Sequence, residues 1–334
     1  MLKIVFVESE FQDQLLLGKR AKDYLCQEFE GFSTETVKEF NIDAISHYPV
    51  AVVPLDMPLV TSKHLVRLLE IAQKQGINGL RFGGAESPFG LFLKSGDTKH
   101  FVTDSAFLQL GGAKNYILVY NTLRKRIVDR LIDGGAIFLG DEFHVDATAN
   151  VEAGATIVSP TTLKGNTHIK SGARVENSML FDSVIEQGAE VTSSHITASQ
   201  VGQNSTVGPF ARLRGAKIGD NCRIGDFVEV KGSTLKEGAK CAHLCYVGDA
   251  EVGTKTNLGC GVVFCNYDGN LKHHTTVGNN CFIGANVNLV APLSVGDGAY
   301  IAAGTTVTKD VSKDTFVIGR ARAENKDKKS DKKL

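Results

Sequence analysis

Five things are missing from this sequence, and each removes a class of function or structure. Positive and negative charges cancel, with Lys plus Arg and Asp plus Glu at 37 each, so no net field gathers nucleic acid or an anionic membrane surface. Any anion site must be local. No run approaches the ~20 apolar residues of a membrane-spanning helix. The opening "MLKIVFVESEF" carries neither a basic leader nor a small-residue cleavage site, so the chain is expected to be soluble and cytoplasmic. The seven cysteines (Cys26, Cys222, Cys241, Cys245, Cys260, Cys265 and Cys281) are odd in number and include no CxxC pair. That pattern argues against a disulfide framework and a zinc knuckle, and predicts reduced, mostly buried thiols. Finally, most of the chain lacks the apolar spacings of 3.6 or 2 that mark helices and simple strands.

What replaces them is a beat of six. Val145, Val151, Ile157, Leu163, Ile169 and Val175 form one ladder, and Val277, Ile283, Leu289, Val295, Ile301 and Val307 form another. Between them the beat runs through Val201, Val207, Leu213, Ile218, Ile224, Val230, Leu235, Cys241, Val247, Val252, Leu258 and Phe264, with a few steps of five. The fifth position of each hexad is usually small or β-branched, as at Ala149, Ala155, Thr167, Ala173, Cys281, Ala299 and Thr305. A six-residue unit fits a short strand with one inward aliphatic residue, followed by a corner where Gly, Asn or Asp accepts left-handed backbone angles. Three such sides close a coil, and stacked coils bury a continuous aliphatic column, so the pattern predicts a three-sided parallel β-helix. The beat fails once, at "CNYDGNLKHHTT" (265–276), where a loop should project from the wall.

The N-terminal third differs in kind. "KIVFV" (3–7) and "VAVVPLD" (50–56) read as buried strands, and "TSKHLVRLLEIAQKQG" (61–76) as a capped amphipathic helix ending in Gly. "YNTLRKRIVDRLIDGG" (120–135) places Leu123, Ile127 and Leu131 on one helical face before a glycine pair. With 334 residues, 42% of them hydrophobic, the chain can hold two modest cores.

Polar residues crowd the middle of the hexad region: "GPFARLRG", "VEVKG", "AHLCYVGD", "NLGCG" and "CNYDGNLK". On residue type alone, His243 is more often a hydrogen-bonded or surface histidine than a base, and Arg214 and Lys231 are ordinary solvated charges. These motifs, however, resemble the acetyltransferase half of the bacterial bifunctional N-acetylglucosamine-1-phosphate uridyltransferase and glucosamine-1-phosphate acetyltransferase family. The likeness is close over 201–320 and looser over 120–200. It implies a left-handed coil, a homotrimer with sites between neighbouring β-helices, and acetyl-CoA as cosubstrate. It also implies that Arg214, Lys231, Tyr246, Asn257 and Lys272 bind a sugar phosphate, that His243 is the proton acceptor, and that Cys260, Asn266, Tyr267, Ala285, Ala303 and Arg320 meet acetyl-CoA.

The chemistry of those residue types agrees. Three cations suit a phosphate dianion, and the attacking amine must lose a proton near neutrality, which suits an imidazole. Glu229 is a candidate to orient or polarise His243, and the backbone of "LGCG" (258–261) is a candidate oxyanion donor. His273 and His274, adjacent in an extended segment, face opposite ways and read as a solvated loop rather than a metal site. His144, His168, His195 and His243 offer no zinc set.

Departures from the family concern the coenzyme side and the N-terminus. Cys260 stands where alanine is common, and Ala285 where a small hydroxyl residue is usual. In place of the family's "LAAGxGTRM" phosphate loop, "IVFVESEFQDQL" has no glycine and three acids, Glu8, Glu10 and Asp13, which would repel a triphosphate. "PLDMPLVT" keeps Asp56 in the likeness of the family's metal-binding turn, with Asn121 as a possible second ligand, so magnesium is implied only if uridyl transfer survives. The expected organisation is a degenerate, truncated nucleotidyltransferase-like α/β domain (1–115), a linker helix (116–137), a left-handed parallel β-helix (138–322) and a basic disordered tail (323–334). The expected activity is acetyl transfer to glucosamine 1-phosphate in UDP-N-acetylglucosamine and cell-wall precursor synthesis. The alternatives are transfer to another amino or hydroxy sugar phosphate, and a non-catalytic trimeric sugar-phosphate-binding protein.

Overall fold

The computed structural model describes residues 2–41, 43, 45–95 and 98–326. The end of the basic tail, 327–334, lies outside the described residues. The chain divides into two units, Met1–Arg130 with His144–Ala149, and Leu131–Phe143 with Asn150 onward.

The first unit is a mixed sheet. Strand β1 (Lys3–Val7) lies between Ser33–Val37 and Val50–Pro54, parallel to both, and Val50–Pro54 pairs antiparallel with Gly90–Phe92. The strands alternate as their period of two requires. Ile4, Phe6, Ala51 and Val53 face a core that includes Leu25 of helix α1 (Ala21–Glu28) and Leu65 of helix α2 (Ser62–Gln75), while Val5, Val7, Val50 and Val52 join a second cluster on the other face. Burial on both faces is why "KIVFV" and "VAVVP" are continuous apolar runs. Helix α2 starts where Thr61 Oγ1 accepts the His64 N–H at 3.3 Å and stops at Gly76, whose φ of 68° is left-handed. In helix α3 (Gly112–Asp133), Leu123, Ile127 and Leu131 are all buried.

The second unit is the left-handed parallel β-helix. Short strands pair with those one coil away in three parallel sheets, as in Ile157 with Val175, Val175 with Val191, and Leu213 with Val230. These hexad residues are wholly buried, each contributing about 1.5–3 kcal/mol of apolar burial. The small residues one position before each strand close the corners. Ser194 Oγ donates to Thr192 O at 2.7 Å and accepts the Ala211 N–H from the next coil at 3.2 Å. Ser199 repeats the arrangement with Thr197 O and the Ala216 N–H. Buried corner amides are thereby satisfied without water. Val263–Cys265 and Thr275–Val277 flank the projecting loop at the point where the hexad beat stops.

Candidate active site

The strands Arg223–Asp226 and Lys240–His243 lie side by side, with Ile224 opposite Cys241 and Asp226 opposite His243. The register continues from Cys241 to Leu258, Ile283 and Ile301 on successive coils. Four backbone bonds carry it through the corner: Leu244 N–H to Asp226 O (2.9 Å), Gly261 N–H to His243 O (3.3 Å), Asn286 N–H to Cys260 O (2.8 Å) and Gly304 N–H to Ala285 O (2.8 Å). Asp226, His243, Cys260, Ala285 and Ala303 therefore form one column at one corner, rising about 4.8 Å per coil. The following residue turns through left-handed φ each time, at Phe227 (55°), Leu244 (50°), Gly261 (74°), Asn286 (55°) and Gly304 (72°). Gly225 is required for close stacking here, since a Cβ on it would lie 2.0 Å from Ala242 O.

The His243 side chain is half exposed, as is that of Asp226, and His243 Nδ1 stands 3.7 Å from Asp226 Oδ2. That is an ion-pair distance, too long for a hydrogen bond. His243 Nε2 has no polar partner among the described residues. The carboxylate proposed from sequence, Glu229, is instead paired with Arg214 Nη2. Asp226 was missed by sequence reasoning, although it sits one coil length before His243, a spacing the hexad register supplies.

Past the corner, the next sheet gathers the cations. Lys231 is opposite Arg214 on one side and Gly248 on the other, and Glu229 is opposite Tyr246. Gly248 leaves room for the Tyr246 ring, whose hydroxyl would be 2.5 Å from a Cβ placed there. Lys231 Nζ is 3.8 Å from Asp249 Oδ2, and the same oxygen accepts Asn266 Nδ2–H at 2.5 Å. Hydrogen-bond contact with the Lys231 ammonium, then repulsion from it, holds Lys272 below the ordinary lysine range. Arg214 Nε is buried and has no hydrogen-bond partner among the described residues.

The projecting loop is closed on itself. Asp268 Oδ1 accepts the Asn270 and Leu271 N–H groups at 2.7 and 2.8 Å, and Asp268 Oδ2 lies 2.7 Å from His273 Nε2. Those bonds, the one to His273 foremost, hold the Asp268 carboxyl far below its usual range. His273 is thus committed to an acid, and His274 is exposed. Tyr267 pairs with Lys272 across the loop and is exposed.

The structure sorts the implied coenzyme residues into two places. Cys260, Ala285 and Ala303 share the His243 column, and Arg320 Nη1 donates to Ala303 O at 2.8 Å at its end. Asn266 is tied instead to Asp249, beside Lys231. Asn257 lies on the outer row of the sheet before the corner, between Lys240 and Phe282. In the first unit, Asp56 is buried, which pushes its carboxyl up, and its Oδ1 takes the Gln109 amide at 3.2 Å. Asn121 is exposed on α3. Among the described residues no group of three His, Cys, Asp or Glu could hold a metal. Glu8, Glu10 and Asp13 are exposed. No helix among the described residues is long and apolar enough to cross a membrane.

Comparison with known proteins bears on the β-helix. The bacterial transferase hexapeptide repeat model matches residues 198–232 and 274–309. A bifunctional protein GlmU from Caldanaerobacter subterraneus subsp. tengcongensis is 40% identical over 235 residues, covering 70% of this chain and 50% of that protein. The bifunctional protein GlmU of Clostridium novyi is 47% identical over 206 residues, covering 61% and 45%. The chain spans about half the length of the curated relatives it matches. Among solved structures, UDP-N-acetylglucosamine acyltransferase from Campylobacter jejuni matches 53% of this chain and 71% of that one at 19% identity and a TM-score of 0.34.

Proposed function

The chain belongs to the GlmU family through its hexapeptide β-helix, and from that premise we propose that it transfers an acetyl group from acetyl-CoA to the amine of glucosamine 1-phosphate. The observation that carries this reading is the corner column, in which His243 stands one coil from Cys260 and in line with Ala285 and Ala303. A proton acceptor then adjoins the stretch of wall along which the thioester would lie.

The unpartnered His243 Nε2 takes the proton as the amine lone pair attacks the thioester carbonyl. The tetrahedral oxyanion is met by the Cys260 N–H of the "LGCG" corner, because the Gly259 and Gly261 N–H groups already bond Ile283 O and His243 O. Its collapse breaks the C–S bond, and the imidazolium returns the proton to the departing coenzyme A thiolate. Lys231, Lys272 and Arg214 hold the sugar phosphate. The Lys272–Lys231 repulsion and the orphaned Arg214 Nε–H support this, since a dianion would relieve the first and satisfy the second. Tyr246 and Asn257 flank the sugar, with Glu229 orienting Arg214.

A homotrimer is part of the proposal. Phe210, Phe227 and Leu244 stack at the same corner on successive coils and are exposed at 59%, 60% and 59%. Phe210 and Phe227 are in ring contact at 5.4 Å, and all three residues adopt left-handed backbone angles. Bulky apolar residues in that conformation, turned to solvent, favour a neighbouring copy over them. The degenerate first unit leaves uridyl transfer lost.

The test is coenzyme A thiol release from acetyl-CoA in the presence of glucosamine 1-phosphate. His243→Ala should lower kcat by about 100-fold or more while the protein stays folded. An inactive natural protein, or an unchanged rate in the variant, would sink the reading.

A further inference from the structure

We infer that Asp226 is a positioning residue for His243, holding the neutral imidazole with its proton on Nδ1 so that the Nε2 lone pair faces the substrate amine; this rests on the acetyl-transfer reading above. Two observations carry it. The residues are register partners on adjacent strands, and Leu244 N–H bonds Asp226 O at 2.9 Å, so the main chain fixes their relative position. Asp226 Oδ2 is also the nearest ionic partner of the ring, 3.7 Å from Nδ1, and neither the Asp226 carboxylate nor His243 Nε2 has another polar partner among the described residues. The carboxylate is not consumed elsewhere in the wall.

The consequence is chemical. A free neutral imidazole places its proton on either nitrogen, and only the Nδ1–H form leaves Nε2 able to accept. An anionic acceptor beside Nδ1 favours that form, and a small closing movement turns the 3.7 Å contact into a charge-assisted hydrogen bond as the imidazolium forms. The proton moves from the amine to Nε2 and later to the thiolate, while Asp226 stays ionised throughout.

Nitrogen-15 spectra of the histidine-labelled full chain report the tautomer directly, with the His243 resonances assigned by comparison with His243→Gln. The natural protein should show Nδ1 protonated and Nε2 imine-like at a pH where the ring is neutral. Asp226→Ala should move the population to Nε2–H and lower kcat by about tenfold or more with both KM values nearly unchanged, and Asp226→Glu should restore the natural tautomer. Identical tautomer populations in the natural protein and Asp226→Ala would overturn the assignment, whatever the activity. If the tautomer follows Asp226 but no protein releases coenzyme A, the pair stands and the acetyl-transfer reading fails.

Discussion

At the scale of single residues, function and stability pull in opposite directions around Lys231. Its ammonium and that of Lys272 are held together, with the Asp249 carboxylate nearby to offset them in part. Because Lys272 titrates lower folded than unfolded, its penalty is complete below the folded value and vanishes as pH rises past the unfolded one. Lys231→Met should therefore raise the melting temperature near neutral pH, most clearly without phosphate, and raise the KM for the sugar phosphate. Calorimetry and steady-state kinetics on the same preparation check both arms. A residue with no chemistry of its own matters as much. Gly225→Ala puts a Cβ 2.0 Å from Ala242 O, so Asp226 and His243 cannot keep their spacing. A loss of about 2 kcal/mol or more is expected in denaturant unfolding.

At the scale of elements, the corner ladder and the projecting loop do different jobs. Ser194→Ala adds no volume but removes both the hydroxyl's bond to Thr192 O and the acceptor for the Ala211 N–H. An unsatisfied buried amide costs about 1–3 kcal/mol, and hydrogen exchange should accelerate first at Ala211. The loop is set by Asp268, which gathers two amides and His273. Its carboxyl titrates lower in the folded protein, so the stabilisation is present above the unfolded carboxylate range and lost only as pH falls through the folded value. Asp268→Ala should loosen the loop at every pH above that folded value. Faster exchange at Asn270 and Leu271, and a higher KM for the sugar phosphate through Lys272, are the readouts.

At the scale of the whole molecule, assembly and the first unit remain to be tested. Asn tolerates left-handed angles and is polar, so Phe210→Asn with Phe227→Asn should preserve the coils while removing the exposed ring stack. Sedimentation should then shift from trimer to monomer with loss of acetyl transfer; a monomeric natural protein would remove the shared site from the proposal. Magnesium-dependent pyrophosphate release from UTP and N-acetylglucosamine 1-phosphate is expected to be absent. The buried, amide-bonded Asp56 and the exposed acids after β1 are the reasons.

The hexad beat by itself determined the coil, because only one inward residue in six can reach a solenoid axis, and Ile157, Val175 and Leu213 are buried there as that spacing demands. The interruption at 265–276 likewise located the loop, since the positions six and twelve after Phe264 are the polar Asn270 and Thr276 and the segment's aliphatic Leu271 falls off the beat. Motif likeness singled out His243, Lys231 and Lys272 as residues of interest. Sequence could not choose His243's neighbour. Glu229 is nearer along the chain to the cations as well as to the histidine, and it pairs with Arg214, while Asp226 reaches the ring across the sheet. Nor could sequence show that Asn266 joins Asp249, or that Lys272 folds back onto Lys231. Those partnerships depend on coil length, because a one-residue change in the turn between two strands moves every side chain to a different row. The one-coil register that puts Asp226, His243 and Cys260 in a single column exists only once the chain has closed its coils.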